Sequence, residues 1–580
     1  MKRYLLMAAV GLMSLTSCED FLDTESYTKQ TSDNFPASST DVDNMVTGVY
    51  SVLNTLSKDF TSSNFWVSEL ASDDRFGGGG ANDKHFQAPD HLLNFGTDML
   101  RPAWIDYYMG IYRANAAMAN FDKGAEYVEG AALNSYKGQV HFLRAFYVNE
   151  MAELWGSIPL PFTAEAQNLP KTDIDVIYGH IAYDLKEAIG LLPATRYSET
   201  TSGRVTKWAA EAMMARVFLF YTGFYQKAEM PLGDGAGNNV GSVTKAEVIN
   251  WIDDCVANSG HSLVNDYRRL WPYSNEYTAK DYDYVKDLAA SGNVWLRDGE
   301  NPEHVFVIKC SSMASWSSYP ASGNTGYGNL WDLSFGVRAP GNGDENTYPF
   351  GRGWGAGPAS SDLWDEWKAA EPLDPRREAS IISIADDYPG YVQGADRQME
   401  DSQFWQKKYM PIMAHDESGK LKYTFGSLMY GRTDDDFQIG HPQDLCVIRY
   451  ADVLLMQSEL KENADGLNAV RNRVGLPNVS YSTEALRNER RWELAFEGRR
   501  WADIRRWHIA EESLRRQLDK PIYNDGVKAT MKDFSTGYAQ RYQDTKGGFF
   551  KIPESEIDLS SGVLTQNEGW TGSDSEFTGW

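Results

Sequence analysis

The chain has 580 residues and is strongly acidic, because 55 lysines and arginines are set against 81 aspartates and glutamates, for a formal net charge of −26. Nucleic acids and anionic lipid surfaces bind basic patches, and the sequence contains no basic block, so the charge argues against nucleic acid as the main partner. Hydrophobic residues make up 42% and charged residues 23% of the chain. This composition is typical of folded globular proteins and not of disordered ones.

Residues 1–17 have the pattern of a secretory signal peptide. Two basic residues precede an apolar stretch over residues 5–15, which is too short to span a bilayer that requires about 20 residues. The sequence LTSC over residues 15–18 is similar to a lipobox. We therefore expect Cys18 to be acylated and residues 18–40 to form a lipidated tether. The alternative is an ordinary signal peptide followed by an incidental cysteine.

Acidic residues follow this cysteine directly, at Glu19, Asp20 and Asp23. The cluster resembles the export signal that directs some Gram-negative lipoproteins to the outer leaflet of the outer membrane. Acyl chains stabilise membrane binding by about 0.8 kcal/mol per buried methylene, so such an anchor needs no transmembrane helix. The predicted location is the outer membrane, with the protein lipid-anchored and facing the exterior.

The other cysteines are Cys255, Cys310 and Cys446. An odd number of cysteines cannot form a complete set of disulfides, and their wide spacing lacks any CxxC zinc pattern. We therefore expect buried, unpaired thiols that pack like small hydrophobic side chains, with at most one disulfide among them.

Amphipathic helices dominate residues 41–224. In the first of them, over residues 41–58, Met45, Val49, Val52 and Leu56 recur at helical spacing. The same periodicity predicts further helices over residues 103–121, 134–155, 173–192 and 204–224. Consecutive helices joined by short links indicate helix pairs stacked as an α-solenoid, although no fixed repeat period is visible.

Residues 225–445 are rich in glycine, proline, asparagine, aspartate and aromatic residues. This composition predicts long loops with a few short strands, for example Val305 to Lys309. Because long loops in compact proteins usually carry function, we expect this loop-rich insert to face a ligand. Helical periodicity returns over residues 447–462, 464–474 and 482–518. Residues 446–580 are therefore predicted to complete the same helical domain as residues 41–224.

No established catalytic motif is present: the sequence lacks GxSxG, HExxH, GxxxxGK[ST] and a GxGxxG that opens a helix. Three pairs of adjacent acids could supply the acid and the nucleophile of a glycosidase, but the sequence does not give the carboxylate separation that defines this mechanism. These pairs are Asp73-Asp74, Asp365-Glu366 and Asp386-Asp387. A lipid-anchored glycoside hydrolase therefore stays open as an alternative.

An acidic run contains Asp434 and Asp436, which could donate hard oxygen ligands to a structural Ca²⁺. Asp281, Asp283 or Asp287 could complete such a site. The alternative is a solvated acidic turn.

Aromatic residues in the predicted loops are the stronger indication of a binding function. Sugar rings pack their C–H faces on aromatic rings, and their hydroxyls need planar donors and acceptors such as Asn, Asp, Arg and Gln. Two stretches supply both kinds of group. The candidate glycan-binding residues are Asp74, Arg75, Asn82, Phe86 and Phe95 in the first stretch, and Trp295, Trp316, Tyr319, Tyr327, Trp331 and Trp354 in the second. The alternative for each is that it anchors its loop to the scaffold.

Ordered landmarks along nearly the whole chain resemble the SusD/RagB-type outer-membrane lipoproteins. In the N-terminal half, residues 104–115 are similar to the family's W..lY..I..aN helix, and residues 141–147 (HFLRAFY) and 155–160 (WGSIPL) to its FLRA helix and the following exit. In the C-terminal third, residues 489–507 (ERRWELAFEGRRWADIRRW) fit the segment ERr.Ela.Eg.R..Dl.Rw. The ending is similar as well, except that Glu568 stands where the family usually has proline.

The charged residues of the 489–507 segment could be mistaken for a catalytic cluster. Their spacing of three and four residues favours ion pairs within helices and arginines packed between helices. We therefore interpret them as part of the scaffold. These residues are Glu489, Arg490, Glu493, Glu497, Arg499, Arg500 and Asp503.

The resemblance implies a mainly α fold, a scaffold of tetratricopeptide-like helix pairs that carries the loop-rich insert. It further implies a binding protein without catalytic turnover, which captures oligo- or polysaccharide and delivers it to a SusC-like TonB-dependent transporter. No cofactor is expected beyond a structural Ca²⁺. A lid that captures a peptide or protein on the same type of transporter is the second alternative. An anionic glycan would need basic residues such as Arg75, Arg338 or Arg352 at the site, so neutral glycans are preferred.

Overall fold

The computed structural model describes residues 35–56, 61, 63–199, 203–297, 299–312, 329–338, 344–393, 395–432, 435–571 and 576–580. The predicted signal peptide, Cys18 and most of the predicted tether lie outside these residues. Among the described residues, no helix is both long enough and apolar enough to cross a bilayer.

The N-terminal half is a stack of consecutive helices, as the periodicity predicts. The helices are α1 Ser39–Thr55, α2 Asn64–Leu70, α3 Lys84–Asp90, α4 Arg101–Gly124, α5 Gly130–Trp155, α6 Ile174–Leu191 and α7 Lys207–Phe224. From α4 to α7 each helix packs on the next, and α1 packs on α4 and α5. The five predicted helices are confirmed with ends within four residues of the predicted ones. Helices α2 and α3 are short and were not predicted.

Close packing in this stack depends on a glycine of α4 at its contact with α5. A Cβ atom at Gly110 would lie 2.5 Å from a ring carbon of Tyr147, so a larger residue would push the two helices apart. Tyr147 is fully buried, and its hydroxyl donates to the Val49 carbonyl of α1 at 2.8 Å. This tyrosine therefore joins three helices of the scaffold.

Residues 225–445 contain more regular structure than the composition predicts. Their elements are β1 Met230–Gly233, β2 Asn239–Val243, α8 Lys245–Asn258, α9 Lys286–Ser291, β3 His304–Ile308, α10 Leu330–Phe335, α11 Ser361–Ala370, α12 Pro375–Ser380, β4 Ile381–Ser383, α13 Ile384–Asp387, β5 Phe404–Gln406, β6 Ala414–His415, β7 Leu421–Lys422 and α14 Phe425–Met429. Strands β1 and β2, β4 and β5, and β6 and β7 form separate two-stranded antiparallel sheets.

Helix α8 corrects the predicted boundary of the scaffold. Its N-terminus has a capping box between Thr244 and Glu247, and Val248, Ile252 and Cys255 are buried at helical spacing. The helix packs on α7 and on the C-terminal helices. The helical scaffold therefore extends to Asn258, and the loop-rich insert begins after it.

The C-terminal segment returns to the same scaffold. Its elements are β8 Leu445–Arg449, α15 Tyr450–Lys461, α16 Asp465–Arg473, α17 Thr483–Glu493, α18 Arg500–Arg506, α19 Ala510–Arg515, β9 Pro521–Asn524, β10 Val527–Thr530, α20 Tyr538–Asp544 and α21 Glu554–Leu559. Helix α15 packs on α7 and α8, and α18 packs on α7. The mainly α fold is therefore confirmed, and the C-terminal helices pack against helices of the N-terminal half.

Two predicted helices begin or end differently in the structure. The predicted helix over residues 447–462 starts as strand β8, which pairs antiparallel with β3, close to the strand predicted at residues 305–309. The predicted helix over residues 482–518 is three helices, α17 to α19, because the backbone turns at Phe496 (φ +64°) and Gly498 (φ +70°) after α17 and at His508 (φ +54°) after α18. A left-handed backbone at two such close positions cannot continue an α-helix.

A buried network of arginines and carboxylates lies at this turn. Glu493 accepts hydrogen bonds from Arg449 at 2.6 Å and from Arg376 at 2.9 Å, and it also pairs with Arg473. Burial alone would raise the pKa of Glu493, but these three guanidinium groups hold it well below its usual range. Arg449 also contacts Glu303 at 2.7 Å. The network therefore joins the insert to the C-terminal helices.

The charged residues of segment 489–507 are part of this scaffold, as predicted. Six of the seven are buried, and the seventh, Arg500, is half-buried and pairs with Asp73 at 2.7 Å. Most of their ion pairs run between elements and not within a helix, for example Arg490 with Asp452 at 2.7 Å. The three- and four-residue spacing puts the charges on one face, but their partners come from elsewhere in the chain.

The three cysteines of the described chain are unpaired. Cys255 and Cys446 are buried and Cys310 is half-buried. The prediction of unpaired thiols is therefore confirmed for these residues, with Cys310 less buried than expected.

Replacement of Glu493 by glutamine tests the network. The substitution keeps the shape but leaves three buried guanidinium groups with one anion fewer, so the free energy of unfolding should fall by about 3–5 kcal/mol. Urea unfolding followed by circular dichroism measures the loss. The matched control is Glu511→Gln, which breaks an exposed pair with Arg515 and should cost less than about 1 kcal/mol. Equal losses in both variants would contradict the assigned role.

A second buried acid makes stability depend on pH. Glu150 in α5 is 7% exposed and accepts a hydrogen bond from the Tyr107 hydroxyl at 3.3 Å. Burial and the nearby Glu153 raise the pKa of Glu150 from 4.5 to about 7. The folded protein therefore keeps this proton up to about pH 7, whereas the unfolded chain releases it above about pH 4.5. Folding binds the proton in this window, so the free energy of unfolding falls as pH rises through it.

Glu150→Gln should remove this pH dependence, because the amide is neutral at every pH. We expect the variant to match the wild-type protein at pH 5 and to exceed its free energy of unfolding by about 1–3 kcal/mol at pH 8. Denaturant unfolding at both pH values measures the difference. The exposed Glu126→Gln variant serves as the control and should show no such divergence. A constant difference between Glu150→Gln and wild type across the range would refute the assignment.

Candidate functional site

Two cavities are candidates for a binding site. The first, which we call the aromatic cavity, has a volume of about 170 Å³ and lies in the loop-rich insert next to strands β3 and β8. It is lined by Leu270, Trp271, Trp295, Arg297, Asn301, His304, Cys310, Ser312, Tyr409, Tyr430, Pro442, Gln443, Asp444, Cys446 and Arg449. The second, which we call the helical groove, is a wider cavity of about 600 Å³ between α4, residues 159–169 and α21.

Aromatic rings form much of the wall of the aromatic cavity. Trp271 meets Tyr409 edge to face at 5.7 Å between ring centroids, and Trp295 meets Phe425 in the same way at 5.6 Å. The ammonium of Lys408 lies 4.9 Å from the centroid of the Trp271 ring, and burial lowers the pKa of this lysine to about 8. These contacts fix the rings before any ligand binds.

Two polar atoms of the cavity wall lack hydrogen-bond partners. Trp271 is 3% exposed and Gln443 is 4% exposed. Within the described part of the chain, neither the Trp271 indole N–H nor the Gln443 Oε1 has a hydrogen-bond partner, although the Gln443 amide nitrogen donates to the Lys408 carbonyl at 3.0 Å. Buried polar groups are rarely left unpaired without a reason. A hydroxyl group can both accept from the indole and donate to the amide oxygen.

The remaining polar lining residues differ in how strongly they are held. Asn301 accepts from the Glu303 amide at 3.0 Å, and Asp444 accepts from the Cys310 amide at 2.9 Å and pairs with Lys309. The half-buried Arg297 forms no ion pair with any described residue. The cavity therefore combines prearranged acceptors with one cation that a ligand can reach.

The described lining residues do not supply the groups that two catalytic mechanisms would need. Burial raises the pKa of the Cys310 and Cys446 thiols well above the usual value, so neither is a thiolate nucleophile at neutral pH. Among the described lining residues, Asp444 is the one carboxylate, and both its oxygens are engaged by protein groups. A glycosidase needs two carboxylates on either side of the bond that it cleaves.

The acidic pairs considered for such a mechanism are held elsewhere by protein partners. Asp73 binds Arg500, Asp74 binds Arg491 at 2.7 Å, and Glu366 also pairs with Arg491. In the third pair, Asp386 accepts from the Ser383 hydroxyl at 2.8 Å and Asp387 from the Ser383 amide at 3.0 Å. None of these residues lines the aromatic cavity or the helical groove.

Burial contradicts the predicted glycan-binding role of four residues. Asp74, Arg75, Phe86 and Trp331 are at most 2% exposed and line neither cavity. Arg75 shows why: its guanidinium lies 4.4 Å from the centroids of two phenylalanine rings, pairs with Glu69 and donates to the Gly357 carbonyl at 2.7 Å. These side chains anchor loops to the scaffold, which was the alternative for each of them.

The other described candidates lie in different places. Trp295 lines the aromatic cavity, and its role in glycan binding stays a prediction. Asn82 is exposed, Phe95 is 36% exposed beneath the Lys84 ammonium, and Trp354 is half-buried against a small apolar cluster. None of these three lines the aromatic cavity. The described members of the two predicted stretches therefore do not share the aromatic cavity.

Trp316, Tyr319 and Tyr327 lie outside the described residues, so their predicted role in glycan binding stays a prediction. Asp434 also lies outside them. Asp436 is described, and its Oδ1 accepts from the Gln438 amide at 2.8 Å.

The acids proposed to complete a Ca²⁺ site with Asp436 are engaged by other residues. Asp281 binds His415 at 3.0 Å, Asp283 pairs with Lys286, and Asp287 binds Arg268 at 2.7 Å. The predicted grouping of these acids with Asp436 is not found among the described residues.

Sequence reasoning missed Trp271, Tyr409, Tyr430 and Gln443 as parts of one wall. Each lies in the aromatic-rich insert, so the composition was a signal for the region but not for the individual residues. Long-range contacts bring them together: Tyr409 packs against Trp271, and the carbonyl of Lys408 accepts a hydrogen bond from the Gln443 amide.

Comparison with protein families identifies matches along most of the chain. The SusD family model matches residues 265–570, and a second model, described as starch-binding and associating with the outer membrane, matches residues 20–219. The SusD-like protein P25 of Formosa agariphila is 25% identical over 549 residues, covering 86% of this chain and 88% of its own. A SusD-like protein of Bacteroides ovatus is 24% identical over 459 residues, covering 74% of this chain and 70% of its own.

Solved structures with the same fold include a laminarin-binding SusD-like protein, with a TM-score of 0.66 and 22% identity over 92% of this chain and 99% of that one. Surface glycan-binding protein A of Bacteroides thetaiotaomicron in complex with laminarihexaose has a TM-score of 0.65 and 20% identity over 91% of this chain and 98% of that one. Because the SusD family model covers residues 265–570, more than half of the 580 residues, the chain belongs to the SusD family.

Proposed function

We propose that this protein is a cell-surface lipoprotein that binds a glycan in the aromatic cavity and delivers it to a SusC-like TonB-dependent transporter of the outer membrane. The observation that carries the proposal is the wall in which Trp271 and Gln443 present an unpaired donor and an unpaired acceptor among aromatic rings. A sugar ring carries apolar faces and hydroxyl groups at its edge, and it therefore complements both parts of this wall.

The size of the cavity favours one sugar ring over a longer segment. Its volume of about 170 Å³ is roughly half of the lower limit for pockets that enclose drug-sized ligands, about 300 Å³. One ring of an oligosaccharide would enter the cavity, and the neighbouring rings would lie outside it.

A neutral glycan fits the cations of the structure better than a polyanion. Arg75 is buried against Glu69, Arg338 pairs with Asp83 at 3.1 Å, and Arg352 lies 5.2 Å from the centroid of the Phe437 ring. The arginines considered for an anionic ligand therefore have protein partners, and of the two arginines that line the cavity, Arg449 is paired with Glu493 and Glu303. Because two structural relatives are named for laminarin and laminarihexaose, laminarin is the first ligand to test.

The membrane role and the absence of turnover rest on separate observations. The signal peptide and lipobox at Cys18 support a lipid anchor, and the family description of association with the outer membrane agrees with it. Membership of the SusD family supports a transporter partner. The single engaged carboxylate of the cavity supports binding without hydrolysis.

The binding prediction is tested with soluble protein that begins after Cys18. We expect laminarin to retard the wild-type protein in affinity electrophoresis and laminarihexaose to give a measurable Kd by calorimetry. Trp295→Ala and Tyr430→Ala should each weaken binding by about tenfold or more, because each removes a ring from the cavity wall. Gln443→Leu should weaken it by a smaller factor, because one hydrogen bond is lost.

The matched control is Tyr112→Ala. Tyr112 is 57% exposed and lies in the helical groove, so its loss should leave the affinity unchanged. A loss of binding in Tyr112→Ala with full binding in the cavity variants would move the site to the groove. Thermal melts of each variant separate loss of affinity from loss of fold. Release of new reducing ends from a bound glycan would contradict the binding role and favour the hydrolase alternative.

A further inference from the structure

A second group of side chains has the features of a metal site, and none of its members lines the aromatic cavity. Asp90 and His91 lie at the C-terminal end of α3, and Glu400 lies in the loop that precedes β5. One ligand atom from each of the three residues lies within 4.8 Å of the others. Their exposed fractions are 0%, 2% and 0%, so bulk water does not solvate them.

The charge of this trio is not balanced by the protein. No lysine or arginine forms an ion pair with either carboxylate within the described ranges, and the nearest basic nitrogen is the His91 Nε2, 3.8 Å from the Glu400 Oε1. Elsewhere in the protein, buried carboxylates such as Glu493 are paired with arginines. Two unpaired carboxylates buried side by side carry a large desolvation cost. A bound divalent cation would neutralise both.

Several ligand atoms of the trio also lack hydrogen-bond partners. Neither ring nitrogen of His91 has a partner, and neither does the Asp90 Oδ1, over the part of the chain that the structure describes. Two of the other carboxylate oxygens are held by backbone amides, since the Asp90 Oδ2 accepts from Gly77 at 3.2 Å and the Glu400 Oε2 from Gly78 at 2.8 Å. These amides fix both carboxylates and leave atoms free to bind an ion.

The surroundings hold His91 and Glu400 in place. The imidazole is stacked between Tyr538 and Phe577, at centroid distances of 5.1 and 5.4 Å. Glu400 has a left-handed backbone with φ of +52°, which is unfavourable for a residue with a side chain and persists where the surroundings require it. The Trp580 indole also donates to Glu400. Ligand side chains fixed in this way are typical of metal sites.

We propose that Asp90, His91 and Glu400 bind a divalent transition-metal ion of the Zn²⁺ type. Imidazole together with carboxylate suits Zn²⁺ and its neighbours in the first transition row, whereas Ca²⁺ prefers oxygen ligands alone. Tetrahedral Zn²⁺ with bonds of about 2.0–2.2 Å requires ligand atoms about 3.3–3.6 Å apart. The ligand atoms here lie within 4.8 Å of one another, so binding would move them closer by side-chain shifts of about 1 Å. A water molecule or the Tyr538 hydroxyl, which is buried without a partner, would be the fourth ligand.

The ion would join three parts of the chain that are far apart in sequence. Asp90 and His91 belong to the N-terminal half, Glu400 to the loop-rich insert, and Phe577 and Trp580 to the C-terminal end. None of the three residues lines the aromatic cavity or the helical groove, and we assign the ion a structural role. Binding to the folded protein alone would raise the stability of this junction.

Metal analysis of the full-length fold tests the proposal directly. Soluble protein purified without chelator should contain stoichiometric zinc by mass spectrometry, and protein stripped with a chelator should regain it. Co²⁺ bound to the stripped protein should show the visible absorption of a tetrahedral site. Added Zn²⁺ should raise the Tm of stripped protein by about 2 °C or more at a large excess over Kd, while Ca²⁺ should not.

Isosteric variants separate a metal site from a buried acid cluster. Asp90→Asn, His91→Gln and Glu400→Gln should each lose zinc and the zinc-dependent rise in Tm. Asp332→Asn is the matched control, because Asp332 is 1% exposed and neither of its carboxylate oxygens has a hydrogen-bond partner in the described chain, and it should retain zinc. Absence of stoichiometric metal in the wild-type protein, together with no Co²⁺ spectrum and no shift in Tm with Zn²⁺, would overturn the proposal without reference to any variant.

Discussion

The buried pairing of arginines with carboxylates around Glu493 is the interaction on which the architecture depends. Glu493 lies where α17 ends, and its partners come from α12, β8 and α16. Charges can be buried only when they are paired with good geometry, so each of these segments must be in position before the network is satisfied. The network therefore specifies the position of the insert on the helices. Apolar packing alone would define this position less well.

The position of the insert on the helices also creates the aromatic cavity. Strand β8 carries Cys446 and Arg449 in the cavity wall, and its partner β3 carries His304. Arg449 takes part in the charged network on one side and lines the cavity on the other. The cavity wall is thus joined directly to the charged network. This arrangement agrees with binding residues on loops that a rigid scaffold positions.

The candidate binding side chains serve two different purposes that composition does not separate. Arg75, Phe86 and Trp331 have partners in distant segments and fasten loops to the core, whereas Trp295 lines a cavity. A flat ring next to polar residues satisfies the requirements of either role. The four buried candidates were predicted wrongly because the sequence does not show which partner each side chain meets. Helix α8 was missed for a different reason, since the glycine-rich residues before it concealed its own period.

The sequence by itself determined the helices, the charge and the family, because helical periodicity and ordered motifs are local properties of the chain. The positions of α4 to α7 follow from apolar residues that recur every three or four positions. Only the tertiary structure decided which side chains share a site. Trp271 and Gln443 meet through their shared contacts with residues 408–409, and Asp90 and His91 meet Glu400 through contacts between remote segments. Such proximity depends on long-range packing, for which a single sequence carries no direct signal.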